Sequence, residues 1–283
     1  MPKVLISDKL SEAAVQIFKE NGVDVDFQPG LGKDPAKLAE IIGDYDGLAI
    51  RSATRATADL IAKADNLKVI GRAGIGVDNV DLTAASAKGV VVMNTPFGNS
   101  ITTAEHAIAM MFAVARQIPE ADASTRAGKW EKSKFMGAEI TRKTLGLIGC
   151  GNIGSIVADR ALGLKMKVVA FDPFLSTERA AKLGVTKVET IEELLPLADF
   201  VTLHLPKTEK TANLLNADRV KLMKKGARLV NCARGGLVDE QAVADALHAG
   251  DLAGAAFDVF AVEPATDNPL FTAPNVVCTP HLG

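Results

Sequence analysis

Cysteine is scarce in this sequence, and what there is does not pair up. Three residues, Cys150, Cys232 and Cys278, are spread over 283 positions. An odd, dispersed set offers neither a disulfide framework nor the close spacing of a zinc site. No metal is expected, and the three read as plain core residues of a protein from a reducing cytoplasm. An excess of charge of one sign is missing too: 32 Lys and Arg stand against 34 Asp and Glu, a net charge of −2. That excludes a polybasic surface for nucleic acid or for a membrane. Long apolar runs are also absent. The longest, "AIAMMFAVA" at 107–115, falls well short of the roughly 20 residues a membrane-spanning helix needs. The opening "MPKVLISDKL" lacks the basic-then-apolar pattern of a secretory signal. What remains is the profile of a soluble globular protein, 48% hydrophobic and 23% charged, long enough for two domains at about 150 residues each.

Short β-branched runs alternate with helical patterns along the first hundred residues. "KVLIS" reads as a strand, and "SEAAVQIFKENG" as a helix with Ser11 as N-cap and Gly22 past its end. "VDVDF", "GLAIRS", "LKVIGRA" and "VVVMNTP" read as further strands, with helices between them. This alternation predicts a parallel sheet covered on both faces. "NTPFGNS" at 94–100 breaks the rhythm and marks the expected domain boundary. A long helical stretch, "TTAEHAIAMMFAVARQIPEADASTRAGKW", follows, and alternation resumes at Thr144.

The second block opens on "KTLGLIGCGNIGSIVADRALGL". An apolar strand runs into Gly149-x-Gly151-x-x-Gly154 and then a helix. The first glycine permits a tight turn, the second lets backbone approach a pyrophosphate, and the third lets helix pack on strand. The N–H groups of Asn152, Ile153 and the rest of the first turn then face phosphate oxygens. The next strand ends in Asp172, placed for a ribose hydroxyl pair, and its charge favours NAD over NADP. A rival string, "GRAGIGVDNVD", has Asn79 where a third glycine belongs; Gly74, Ile75 and Gly76 read as a second anion-binding loop or as a plain turn.

Hydride transfer to such a cofactor requires a base for the hydroxyl proton and a cation for a carboxylate or developing charge. In open α/β sheets these groups gather beyond the carboxyl ends of strands. Three stand there: Arg234 after "RLVNCA", Glu263 after "AGAAFDVFAV", and His281 after "VVCTP". His204 also ends a strand and is the runner-up. His106 and His248 lie on helical stretches and read as structural or solvated.

Together "GRAGIGVDNVD", "GCGNIG", "FDP", "NCARGGLVDE", "FDVFAVEP" and "TPHLG" resemble the D-isomer-specific 2-hydroxyacid dehydrogenases. "IRSATR" and "GKWEKSKFMG" point to members that oxidise a small phosphorylated 2-hydroxy acid. The resemblance implies two doubly wound parallel-sheet α/β domains: a flavodoxin-like substrate-binding domain over 1–97 and a Rossmann NAD-binding domain over 98–283. It implies that Arg234 binds the substrate carboxylate and carbonyl oxygen, that His281 is the acid/base and that Glu263 holds its imidazole. Arg51, Ser52 and the Gly74–Gly76 loop would take substrate anions, and Cys232 and Asp258 would lie near the nicotinamide. The family chain returns to the first domain after the "PHLG" histidine, so that domain is expected to be incomplete here. Arg142 stands where the family favours Gly, which a turn with φ > 0 would strain. A homodimer or higher homo-oligomer through residues 102–130 is implied as well. Two other readings remain open. One is a reductase of glyoxylate or hydroxypyruvate, which would not need Arg51 and "KWEKSK". The other is a non-catalytic NADH-responsive corepressor-like protein.

Overall fold

In a computed structural model describing residues 1–283, the chain divides into two compact units, Met1–Asn99 and Ser100–Gly283. The first contains β1 (Lys3–Ile6), α1 (Glu12–Glu20), β2 (Asp24–Phe27), α2 (Pro35–Ile41), β3 (Gly47–Ile50), α3 (Ala58–Lys63), β4 (Val69–Arg72), α4 (Leu82–Ala87) and β5 (Val91–Asn94). Its helices begin where a short polar side chain can take up an orphan N–H. Ser11, Asp34, Thr57 and Asp81 each accept from the backbone three residues on. All strand pairs are parallel, in the order β2-β1-β3-β4-β5. That is the flavodoxin-like order.

The expected cover on both faces is present in this unit but uneven. One sheet face packs with α2, α3 and α4 around Leu5, Leu48, Ile50 and Ile70. The other carries only a small cluster, Val4, Ile6 and Ala49 with Val15 and Phe18 of α1. A single helix cannot span five strands. At the β5 edge Val91 and Met93 stay more than half exposed, so the sheet is covered on both faces only in part.

The second unit contains α5 (Ser100–Arg116), α6 (Ile118–Arg126), β6 (Thr144–Ile148), α7 (Asn152–Gly163), β7 (Lys167–Phe171), α8 (Thr177–Leu183), β8 (Thr186–Lys187), α9 (Ile191–Leu194), β9 (Phe200–Leu203), α10 (Ala217–Leu222), β10 (Ala227–Asn231), α11 (Glu240–His248), β11 (Leu252–Phe257) and β12 (Val276–Cys278). The order β12-β11-β10-β9-β6-β7-β8 is the Rossmann pattern with one strand added at the β12 edge. Cores form on both faces, one beneath α5 and α7, the other around α9 to α11. Buried on both sides, β9 reads "FVTL" without polar alternation.

Three local readings meet the structure differently. The long helical stretch is two helices, because Gln117 turns left-handed at φ +51 and Pro119 has no N–H to continue the ladder. Cys150 and Cys232 are buried, but Cys278 is exposed, since it closes a three-residue edge strand. Arg142 does adopt φ +65, the conformation expected to strain it. No helix is long and apolar enough to cross a membrane.

Candidate active site

β6 and β9 are neighbours at the point where the strand order reverses, and the glycine turn lies just past their carboxyl ends. Gly149 sits at φ +92, and a Cβ there would run into the carbonyl oxygen of His204. A Cβ on Gly154 would collide with the carbonyl of Gly149. Both positions therefore exclude any larger residue. A Cβ on Gly151 would meet nothing within 4 Å, so its backbone is open to a ligand. α7 starts at Asn152, and its first N–H groups have no acceptor within the chain before Ser155 N reaches Gly151 O. These features form a cradle for an anion.

Asp172 follows β7 and leans onto this turn. One carboxylate oxygen accepts from Cys150 N at 2.7 Å and the other from Phe174 N at 2.8 Å. The glycine turn and the acidic residue are thus one hydrogen-bonded unit before any ligand is present.

The three candidate catalytic side chains follow β10, β11 and β12, which are adjacent in the sheet. Arg234 stands on a loop that Asn231 ties at both ends. The Asn231 amide donates to Arg234 O at 3.0 Å, and its oxygen accepts from Ala233 N at 3.1 Å. Arg234 Nη1 donates to Ala233 O at 2.7 Å. Gly235 lies so close to Phe260 that a Cβ would overlap the Phe260 carbonyl. Phe260 N in turn donates to Glu263 Oε1 at 3.0 Å. Glu263 Oε2 lies 2.8 Å from His281 Nδ1. The carboxylate can only accept there, so Nδ1 carries the hydrogen, which in the neutral ring leaves the lone pair on Nε2. His281 is partly exposed, as a group that meets a ligand must be.

His204 falls away as a candidate. It is buried, its Nε2 faces Thr202 Oγ1 at 2.9 Å and its Nδ1 has no partner. Burial pushes it down to about 3, so it stays neutral. Its backbone packs on Gly149 instead. His248 closes α11 at the surface. Cys232 is buried among apolar neighbours that push its thiol far above the usual range. Asp258 has no exposed surface and spends its carboxylate on the chain's own groups.

In the first unit, Arg51 and Ser52 are exposed, on a loop clamped from two sides. Asp8, buried, accepts from Arg51 N at 2.5 Å, Thr54 N at 3.2 Å and Thr54 Oγ1 at 2.8 Å. The Asn79 amide donates to Arg51 O at 2.6 Å and to Thr54 O at 2.7 Å. The second glycine loop is held by its carbonyls: Gly74 O by Thr95 N, Ile75 O by Asn94 and Gly76 O by Arg72. Its N–H groups at Gly74, Ile75 and Gly76 have no acceptor within the chain. Asp8, which fixes the Arg51 loop, is a residue that sequence reading passed over. Asp8 was visible as an acid directly past the end of β1.

Over residues 108–283 the chain matches the family described as "D-isomer specific 2-hydroxyacid dehydrogenase, NAD binding domain". The chain belongs to the D-isomer-specific 2-hydroxyacid dehydrogenases. It is 48% identical over its whole length to the D-3-phosphoglycerate dehydrogenase of Synechocystis, of which it covers 50%. The chain spans about half the length of the curated relatives it matches. A solved protein from Thermus thermophilus superposes with a TM-score of 0.90 at 38% identity, over 99% of this chain and 89% of that one. The D-lactate dehydrogenase of Aquifex aeolicus, solved with NAD and lactic acid, superposes with a TM-score of 0.83 at 27% identity, over 99% and 88%. For a dehydrogenase of this family the cradle fits its cofactor. Gly149 and Gly154 leave no room for a side chain, Gly151 leaves the backbone open to a phosphate, and Asp172 holds a carboxylate at the end of the next strand, the position expected of a ribose-binding acid.

Proposed function

We propose that the protein of which this chain is part oxidises D-3-phosphoglycerate to 3-phosphohydroxypyruvate, the first step of serine biosynthesis. The observation that carries the chemistry is the Glu263–His281 pair at 2.8 Å, one strand away from the Arg234 loop. The substrate assignment is supported by curated relatives of that name at 47–50% identity.

Gly149, Gly151, Asn152, Ile153, Gly154 and Asp172 would hold NAD, with Cys232 and Asp258 assigned to its nicotinamide end. Bound there, NAD supplies the acceptor for the hydride that leaves the hydroxyl-bearing carbon. His281 Nε2 takes the hydroxyl proton, while Nδ1–H remains on Glu263, which orients the ring and stabilises the imidazolium. In reduction the imidazolium returns the proton. Arg234 cannot act as the base, because a guanidinium stays protonated. Its role is to grip the substrate carboxylate and polarise the carbonyl oxygen. Arg51, Ser52 and the Gly74–Gly76 N–H groups are assigned to substrate anions.

We assign residues 1–97 to substrate binding and 98–283 to NAD binding. The working assembly is a homodimer or higher homo-oligomer through residues 102–130, in the cytoplasm. Large apolar side chains left in solvent support that surface: Ile118 and Trp130 within it, the latter 85% exposed, and Ile101 just before it.

The test is NADH formation by this chain and by its full-length parent on a panel of 2-hydroxy acids, phosphorylated and not. Turnover restricted to 3-phosphoglycerate supports the proposal. His281→Ala should lower kcat by about 10²–10⁴ with NAD affinity unchanged. Preference for glyoxylate or hydroxypyruvate would move the assignment to the sister reductases. NADH binding without turnover on any substrate would favour the corepressor-like reading.

A further inference from the structure

The segment that carries His281 is fastened to one buried carboxylate, and that carboxylate is capped by a histidine from a distant helix. Asp258 follows β11. Its Oδ1 accepts from Thr279 Oγ1 at 2.6 Å and from Leu282 N at 2.8 Å, and its Oδ2 accepts from Gly283 N at 2.9 Å. Its backbone carbonyl accepts from His281 N at 2.8 Å. His281 itself is left-handed, at φ +56. A non-glycine residue keeps that conformation only where its surroundings impose it, and here the Asp258 bonds on either side do so.

His106 completes the arrangement. Its Nε2 lies 3.2 Å from Asp258 Oδ1 and 3.1 Å from Thr279 Oγ1. Thr279 already gives its hydroxyl hydrogen to Asp258, so towards His106 it can only accept. His106 Nε2 must therefore carry a hydrogen, shared between the hydroxyl and the carboxylate. Thr279, Leu282 and Gly283 all belong to the terminal segment; His106 comes from α5, so its bond ties that segment to the helix beneath it. A carboxylate removed from water needs each such donor, because losing one leaves a buried charge undersatisfied.

We propose that His106 is a positioning residue for His281. Acting through Asp258 and Thr279, it fixes the backbone that presents the imidazole to Glu263. This rests on the reading of His281 as the acid/base, but its first test does not depend on turnover.

That test compares His106→Gln with His106→Asn in this chain, followed by ¹⁵N spectra of the histidine rings. A glutamine amide can place an N–H close to where Nε2 lies; an asparagine amide falls short. In the unmodified protein His281 should show one fixed tautomer with its hydrogen on Nδ1. H106Q should keep that signature and H106N should lose it to an averaged ring. In the full-length enzyme, H106N should lower kcat roughly 10- to 100-fold, the range for a reacting group misplaced by about 1 Å. KM and NAD affinity should stay within about twofold, and H106Q should restore kcat. Folded H106N with unchanged His281 ring signals would overturn the proposal, whatever its activity. So would folded H106Q that loses them, which keeps the test decisive if H106N does not fold. A normal ring signature with no turnover in the unmodified enzyme would instead count against the catalytic reading alone.

Discussion

Replacing Asp172 by Asn separates what its carboxylate does for the chain from what it does for the cofactor. The shape is kept, and one oxygen becomes an N–H2 that cannot accept. Cys150 N and Phe174 N each depend on one carboxylate oxygen, at 2.7 and 2.8 Å, so one of them loses its acceptor. An orphaned N–H of this kind costs about 1–3 kcal/mol. The chain alone should therefore unfold at lower denaturant, by that amount, with an unchanged slope. The second consequence is for the ligand. A charge-assisted bond to a ribose hydroxyl contributes about 1.5–3 kcal/mol, so NAD should bind roughly 10- to 150-fold more weakly. Removing the negative charge should also relax discrimination against a 2′-phosphate. The assay is calorimetric titration of the unmodified chain and the variant with NAD and with NADP, beside denaturant melts without ligand. The reasoning is refuted if the unmodified chain binds NADP as tightly as NAD. It also fails if the variant loses stability yet binds NAD normally.

Three further outcomes follow from the same geometry. His204 titrates near 6.5 in the unfolded chain but only at about 3 when folded. The unfolded state thus takes up a proton first as pH falls. Stability should be fully present above about pH 6.5 and then drop towards pH 3, by up to ~1.4 kcal/mol per pH unit; His204→Gln should flatten that part of a denaturation series, and an unchanged slope would show that another group sets it. Gly235→Ala places a methyl on the Phe260 carbonyl, which should cost about 1–3 kcal/mol in chemical denaturation and disturb Glu263 through Phe260 N; a variant with native stability and activity would show that the loop yields freely. Arg51→Ala should raise KM for 3-phosphoglycerate by roughly 10- to 150-fold in steady-state kinetics of the full-length enzyme, and much less for an unphosphorylated analogue; equal effects would remove Arg51 from phosphate recognition.

The two folds were legible because β-α alternation and the Gly149–Gly154 motif are local patterns with one physical solution each. Arg234, Glu263 and His281 stood out as candidates because a parallel sheet delivers its chemistry at strand ends, and each follows a strand. His106 did not, since its partners lie more than 150 positions away, at Asp258 and Thr279. A signal was present nonetheless. His106 stands three residues after buried Thr103 and four before buried Met110, on the packed stripe of α5, where an imidazole needs a partner. β5 itself gave no sign of the thin cover over Val91 and Met93: it reads as apolar as any central strand, and sequence alone does not show which faces a helix will reach.

The clamp on the Arg51–Thr54 loop has a thermodynamic consequence. The N–H groups of Arg51 and Thr54 are taken by Asp8 and their carbonyls by Asn79, so both ends of the loop are fixed before a ligand arrives. Freezing one residue's backbone costs about 1–2 kcal/mol, and four residues lie within the clamp. That ordering term belongs to folding and not to association. An anion arriving at this loop has little to immobilise besides the Arg51 side chain. Its capture should be fast, with a small entropic penalty and no slow rearrangement preceding it.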